Sequence, residues 1–203
     1  MKIVVASGNA KKLAELRRLA EGLPVEIVSP ADVGGEVPEV EEDGATFREN
    51  AEKKARAYAR AFGLPAIADD SGLCVDALGG APGVYSARYS GGPAPDRDAK
   101  NNDKLLRALA GVPEARRTAR FVCALCLAHP DGRAHTVEGA WEGIVAFTPR
   151  GSGGFGYDPI FLLPHRGQTA AELDPETKGR LSHRGAAMRK LRAHLEQELG
   201  AAR

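Results

Sequence analysis

The chain has 203 residues, 43% of them hydrophobic, enough to bury a substantial core and sized for one domain. Lys and Arg total 28 against 27 for Asp and Glu, so a net charge of +1 gives no global field drawing the protein to nucleic acid or an anionic membrane. Met1-Lys2-Ile3-Val4-Val5-Ala6 is too short an apolar run for a secretion signal or a membrane span, and a cytoplasmic protein is the expectation.

In chain order, Lys2 to Ala6 predicts a first strand, and Ser7-Gly8-Asn9 leads into a helix striped by Leu13, Leu16, Ala20 and Leu23. Val25 to Val28 predicts a second strand. Ser29 to Gly44 is a long connection rich in Pro, Gly and acids, a length usually tied to function or mobility inside a compact domain. Thr46-Phe47-Arg48-Glu49 is a capping box, in which each end residue satisfies a free backbone donor at a helix start. Phe47, Ala51, Ala55, Tyr58 and Phe62 form that helix's apolar stripe, Lys53 lies on the polar face, and Gly63 with Pro65 ends it. Pro65 to Ala68 then runs into Asp69-Asp70-Ser71-Gly72, predicting two carboxylates at a strand end.

Leu78 to Gly92 reads as loop with short extended pieces, and Asp98 to Ala110 as a helix. Ala119 to Ala128 and His135 to Phe147 predict two long strands joined at Pro130-Asp131-Gly132. A last helix follows Ser182, with Met188, Leu191, Leu195 and Leu199 on one face. Strand–helix alternation early and a hairpin late predict a mixed sheet in one α/β domain over residues 1–203. Cys123 and Cys126 form a C-x-x-C, yet they sit in the apolar run Phe121 to Ala128, where residues three apart face opposite ways and do not easily share a metal. Core thiols are expected.

Three clusters carry candidate chemistry. Ser7-Gly8-Asn9-Ala10-Lys11-Lys12 lies between a strand and a helix, where backbone N–H groups and lysines favour an oxyanion, although the spacing is not that of a P-loop. Asp69 and Asp70, with the acidic stretch Glu39, Glu41, Glu42 and Asp43, offer the hard oxygens that magnesium takes. Neighbours on a strand point apart, so one of Asp69 and Asp70 is expected to meet the metal. The third cluster is Gly151 to Pro159, followed by Lys178 and by Ser182-His183-Arg184-Gly185. Here Phe155 or Tyr157 could stack on a base while Asp158 takes a ring N–H, and Ser182 is the expected N-cap of the last helix.

At these residues the chain closely resembles the inosine triphosphate pyrophosphatase (Ham1) family of dITP/XTP pyrophosphatases. The resemblance runs through Ser7 to Lys12, Thr46-Phe47-Arg48-Glu49-Asn50-Ala51, Ala68-Asp69-Asp70-Ser71-Gly72-Leu73, Leu78 to Tyr89, Gly153-Gly154-Phe155-Gly156-Tyr157-Asp158-Pro159 and Ser182 to Gly185. It implies an elongated α/β protein on a long mixed sheet flanked by helices, with a nucleotide cleft between two lobes, usually a homodimer. It implies a magnesium-dependent hydrolase converting noncanonical purine nucleoside triphosphates (dITP, ITP, XTP) to monophosphate and pyrophosphate, so keeping them out of DNA and RNA. Asp70 would be proton acceptor and metal ligand, and Glu42 a second ligand, with Glu41 the adjacent choice. Ser7, Gly8, Asn9, Ala10, Lys11 and Lys12 would hold phosphates and Ser71 would touch the substrate. Phe155, Gly156, Tyr157, Asp158, Lys178, His183 and Arg184 would bind the nucleotide, mainly around its base. Lys53 looks like a further phosphate contact. Ser90 to Asp98 is the least family-like stretch. Two rivals differ in product or turnover: a non-catalytic nucleotide-binding regulatory module, and a phosphatase releasing orthophosphate.

Overall fold

The computed structural model describes residues 1–91 and 96–201. Seven strands make one mixed sheet in the order β2-β1-β3-β4-β5-β6-β7. They are β1 (Lys2–Val5), β2 (Glu26–Val28), β3 (Ala66–Val75), β4 (Thr118–Ala128), β5 (Ala134–Val145), β6 (Phe161–Leu163) and β7 (Gln168–Thr169). β1 pairs in parallel with β2 and β3, whereas β6 pairs antiparallel with β5 and β7. The helices are α1 (Ala10–Leu19), α2 (Pro30–Val33), α3 (Phe47–Phe62), α4 (Arg97–Ala108), α5 (Pro175–Leu181) and α6 (His183–Ala201). Among the described residues no helix is long and apolar enough to cross a membrane.

The chain divides into two compact units. The first takes Met1–Asp70, Cys123–Gly139 and the chain from His183; the second takes Ser71–Val122 and Ala140–Ser182. In the first unit, strand alternation sends side chains to two separate apolar clusters. Ile3, Val5, Ile67, Leu125 and Leu127 pack with Leu16 of α1, with Ala20, which caps that helix, and with Met188, Leu191 and Leu195 of α6. Val4, Ala6, Ala66, Ala68, Ala124 and Ala128 pack with Ala51, Ala55, Tyr58 and Ala59 of α3. Cys123 belongs to the first cluster and Cys126 to the second, so the C-x-x-C pair divides between opposite faces as the strand period requires. Burial pushes the Cys123 thiol up to about 12.

The second unit is built around Leu73, Val75, Leu105, Leu109, Trp141, Phe161 and Leu163. Phe121 stands 4.6 Å from Phe161 and 6.4 Å from Trp141, centroid to centroid, an aromatic trio that fills the volume beside short β6. Buried Arg117 donates to the carbonyls of Val145, Ala146 and Leu109, closing the backbone where β5 ends.

Two sequence expectations change. Asp69 and Asp70 lie inside a ten-residue strand rather than at its end. β1 stops pairing with β3 at Val5↔Ile67, so the carboxylates sit just past the end of β1, at the carboxyl side of the parallel strands. The short elements α2, α5, β6 and β7 carry too few residues for a periodic signal along the sequence. The expected loop Leu78 to Gly92 contains a 3-10 stretch over Gly83–Arg88, and its last residue, Gly92, lies outside the described residues.

Candidate active site

In the first unit, Asn9 is the N-cap of α1: its side-chain oxygen accepts from Lys11 N at 2.9 Å and Lys12 N at 3.3 Å, while its own N–H donates to Ser7 Oγ at 3.1 Å. Two of the N–H groups expected to face an oxyanion are therefore capped by Asn9. Gly8 and Ala10 are exposed beside them, as is Lys11. Lys12 turns inward and pairs with Asp69 at 3.0 Å.

Asp69 and Asp70 do face apart, and the environments that receive them differ in charge. Asp69, fully buried, meets Lys12 of α1 and Arg184 of α6, whose Nη2 lies 2.9 Å from its Oδ2. Burial opposes its charge, but Lys12, Arg184 and Lys54 outweigh that and hold the carboxyl well below the usual range. Asp70 instead accepts a hydrogen bond from Asn50 Nδ2 of α3 at 3.0 Å. Burial pushes its carboxyl above the usual range, with Glu42 adding to the shift and Asn50, Lys54 and Lys12 opposing it. The dyad thus consists of an Asp69 whose charge is favoured by the cations it anchors and an Asp70 with raised proton affinity.

α3 aims the groups around Asp70. The capping box is present, with Thr46 and Glu49 each accepting from the other's backbone, and it sets the start of the helix. One turn in, Asn50 Oδ1 accepts from Gly44 N at 2.8 Å while its Nδ2 holds Asp70, so one carboxamide ties the acidic loop to the strand. Lys54, four residues on, shares that face and forms an ion pair with Glu42. Of the two adjacent acids, Glu42 is the one turned to this face, and Glu41 is exposed. Despite burial, Glu42, Asp69 and Asp70 together raise the Lys54 ammonium above its usual value.

Lys53, the expected phosphate contact, lies on the outer side of α3, and its neighbour Lys54 faces the carboxylates. The Lys53 side chain is 45% exposed and pairs with Asp43 at 2.6 Å, whereas that of Lys54 is 14% exposed among the carboxylates. A 100° step per residue separates the two lysines, and the stripe containing Asn50 selects Lys54. Asn50 and Lys54 are the site residues that sequence reasoning missed. The i, i+4 relation between them inside the capped helix was the available signal.

His183 and Arg184 open α6, directly after Ser182, which also ends α5. They belong to the first unit rather than to the one holding Phe155. Arg184, expected near the base, is 2% exposed, and its guanidinium donates to Asp69 and Glu15. Gly139 of β5 makes this seating possible, because a Cβ there would stand 2.2 Å from His183 O and 2.5 Å from Ala187 N.

In the second unit, Asp158 Oδ2 accepts from Phe155 N at 2.8 Å and from Lys178 Nζ at 2.5 Å, and the ammonium lies 5.0 Å from the centroid of the Phe155 ring. Asp158 and Lys178 are buried while Phe155 and Gly156 are half-buried. Tyr157 is corrected from a stacking candidate to a core residue: it is 4% exposed within the apolar cluster, and its hydroxyl donates to Ser86 O at 2.8 Å. Gly154 sits at φ +71°, and a Cβ there would lie 2.0 Å from Asp158 Oδ2, so only glycine leaves room for the Asp158–Lys178 pair. Ser71 follows Asp70 on β3, half-buried, within this unit.

The first unit thus holds a buried carboxylate of raised proton affinity with cations set among carboxylates, and the second, described by itself, holds an aromatic ring beside an ammonium. The Ham1 family model matches residues 3–194. A dITP/XTP pyrophosphatase of Anaeromyxobacter is 50% identical over 224 residues, covering 97% of each chain. The solved HAM1 protein from Coxiella burnetii superposes with TM-score 0.87 at 45% identity, over 97% of this chain and 99% of that one. A nucleoside-triphosphatase / dITP/XTP pyrophosphatase from Mycobacterium abscessus gives TM-score 0.76 at 52% identity, over 94% and 98%. A match of this extent, running through every cluster described above, makes the chain a member of the Ham1 family.

Proposed function

We propose that the protein hydrolyses noncanonical purine nucleoside triphosphates (dITP, ITP and XTP) to the monophosphate and pyrophosphate, removing them from the pool that supplies DNA and RNA synthesis. The observation that carries this is Asp70, a buried carboxylate of raised proton affinity held by Asn50 beside the Glu42–Lys54 pair. The substrate class draws support from the shared name of the relatives, dITP/XTP pyrophosphatase.

Asp70 accepts the proton of the water that attacks the α-phosphorus, and its raised pKa makes it the stronger base of the dyad. Asn50 holds the accepting oxygen in place. Lys54 and Lys12 neutralise phosphate charge, and Asp69 with Arg184 keeps Lys12 directed inward. Glu42 and Asp70 fit a magnesium ion: both are hard oxygen donors, burial and then Glu42 raise Asp70, and a cation, the Lys54 ammonium, is already drawn among them. Bound there, magnesium would supply charge neutralisation on the phosphate oxygens.

Phe155 stacks on the base, Lys178 donates to the 6-oxo oxygen and Asp158 accepts from N1–H. Adenine, with a 6-amino group and a bare N1, would leave both buried groups unmatched, a mismatch that can cost several orders of magnitude in rate. We further infer a cytoplasmic homodimer, for which sizing chromatography at twice the chain mass is the check.

Pyrophosphate release from dITP, XTP, dGTP and dATP, with and without magnesium, tests the function. Release from dITP and XTP well above dATP is expected; orthophosphate as product, or equal rates on all four, overturns it. Asp70→Asn should lose turnover far more than affinity, and near wild-type turnover would remove Asp70 from the role.

A further inference from the structure

We propose that Asp98 and Asn102 of α4 are positioning residues that fix Phe155 for base recognition, an inference that rests on Phe155 being the base-stacking group. A helix turns residues i, i+3 and i+4 to one side, and on α4 that stripe starts with Asp98, Asn101 and Asn102 before it becomes apolar at Leu105. Asn101 is 2% and Asn102 8% exposed, polar side chains where a packing helix would carry leucines.

Their hydrogen bonds converge on one loop and its support. Asp98 Oδ2 accepts from Gly156 N at 2.7 Å, and Asn102 Nδ2 donates to Gly156 O at 3.1 Å. The first bond fixes the peptide plane that follows Phe155 and the second fixes the next one. Phe155 N is itself held by Asp158, so the backbone of this residue is pinned on both sides. Asn101 Nδ2 donates to Ser86 O at 3.1 Å, the same carbonyl that accepts from Tyr157 Oη at 2.8 Å, so α4 also braces the residue after Gly156. Stability alone does not account for the arrangement. Asn102 Oδ1 is buried with no hydrogen-bond partner among the described residues, which costs rather than contributes folding energy. Asp98 is exposed at its helix start, and the peptide N–H of Gly156 is the contact that its charge strengthens.

The full-length protein and its Asp98→Ala, Asp98→Asn and Asn102→Ala variants are compared in three measurements: pyrophosphate release from dITP with magnesium, calorimetric binding of inosine monophosphate, and thermal melting. Asp98→Ala should raise KM and the Kd for inosine monophosphate about tenfold, the worth of one charge-assisted hydrogen bond, with kcat within about twofold. Asp98→Asn keeps an acceptor oxygen and should recover most of the loss. The melting temperature of the Asp98 variants should stay at the wild-type value. Unchanged KM and Kd in Asp98→Ala, a fall in kcat in place of a rise in KM, or no binding of inosine monophosphate by the wild type would overturn the inference. A wild type that binds the monophosphate with the expected Asp98 dependence yet releases no pyrophosphate would instead refute the proposed reaction and leave the positioning role standing.

Discussion

Replacing Lys54 and Lys53 separately with alanine sets two adjacent lysines against each other. Lys54 is 14% exposed and paired with Glu42 at 33% exposure, near Asp69 and Asp70. Lys53 is 45% exposed and paired with Asp43 at 56%. A cation roughly 4 Å from phosphate charge in a medium of effective dielectric about 20 is worth about 4 kcal/mol. Partial solvent access at Lys54 lowers that figure, so its removal should reduce kcat/KM by about 100-fold to 1,000-fold, the range seen for a lost electrostatic donor. An exposed pair contributes about 0–1 kcal/mol, so Lys53→Ala should stay within about fivefold of wild type. Steady-state pyrophosphate release from dITP at saturating magnesium measures both, with thermal melting to confirm that each variant is folded. Lys54→Arg retains the charge and should recover part of the rate. Lys53→Ala being as damaging as Lys54→Ala, in folded proteins, would refute the assignment.

Gly154→Ala should collapse the Asp158–Lys178 pair, because its Cβ would fall 2.0 Å from Asp158 Oδ2; a KM at least about tenfold higher is expected, one or more lost charged hydrogen bonds, and an unchanged KM would contradict it. Arg117→Ala leaves three carbonyls buried in the second unit and should destabilise the protein by about 3 kcal/mol or more, read from denaturant unfolding. Stability should also depend on His194, stacked on His135 at 3.8 Å with His129, Arg133 and Glu198 nearby. Burial, then His135, lowers its pKa from the ordinary 6.5. The unfolded chain therefore binds its proton first, so the stability it contributes is whole above pH 6.5 and is lost as pH falls through the folded value. His194→Gln should flatten the melting temperature between pH 7 and pH 5, and an unaltered slope would rule His194 out.

The sequence by itself determined the elements whose signal is local. Periodicity and the Thr46–Glu49 capping box located α3, the continuous apolar run from Phe121 to Ala128 located β4, and the strand period separated Cys123 from Cys126. The glycine and acidic motifs marked Asp69 with Asp70, the acids from Glu39 to Asp43 and the Gly151 to Pro159 segment as candidates, because they are written along the chain, and it was the family resemblance that singled out Asp70 and Glu42. Tertiary structure decided which member of each close pair turns toward the chemistry. Lys54 rather than Lys53, Glu42 rather than Glu41, and Phe155 rather than Tyr157 depend on the azimuth of a helix or loop against a strand distant in sequence. Arg184 shows the same limit, since its motif reads as a nucleotide contact while its partner, Asp69, lies 115 residues away. Local propensity acts over a few residues, whereas burial and ion pairing are settled by neighbours that only the folded chain brings together.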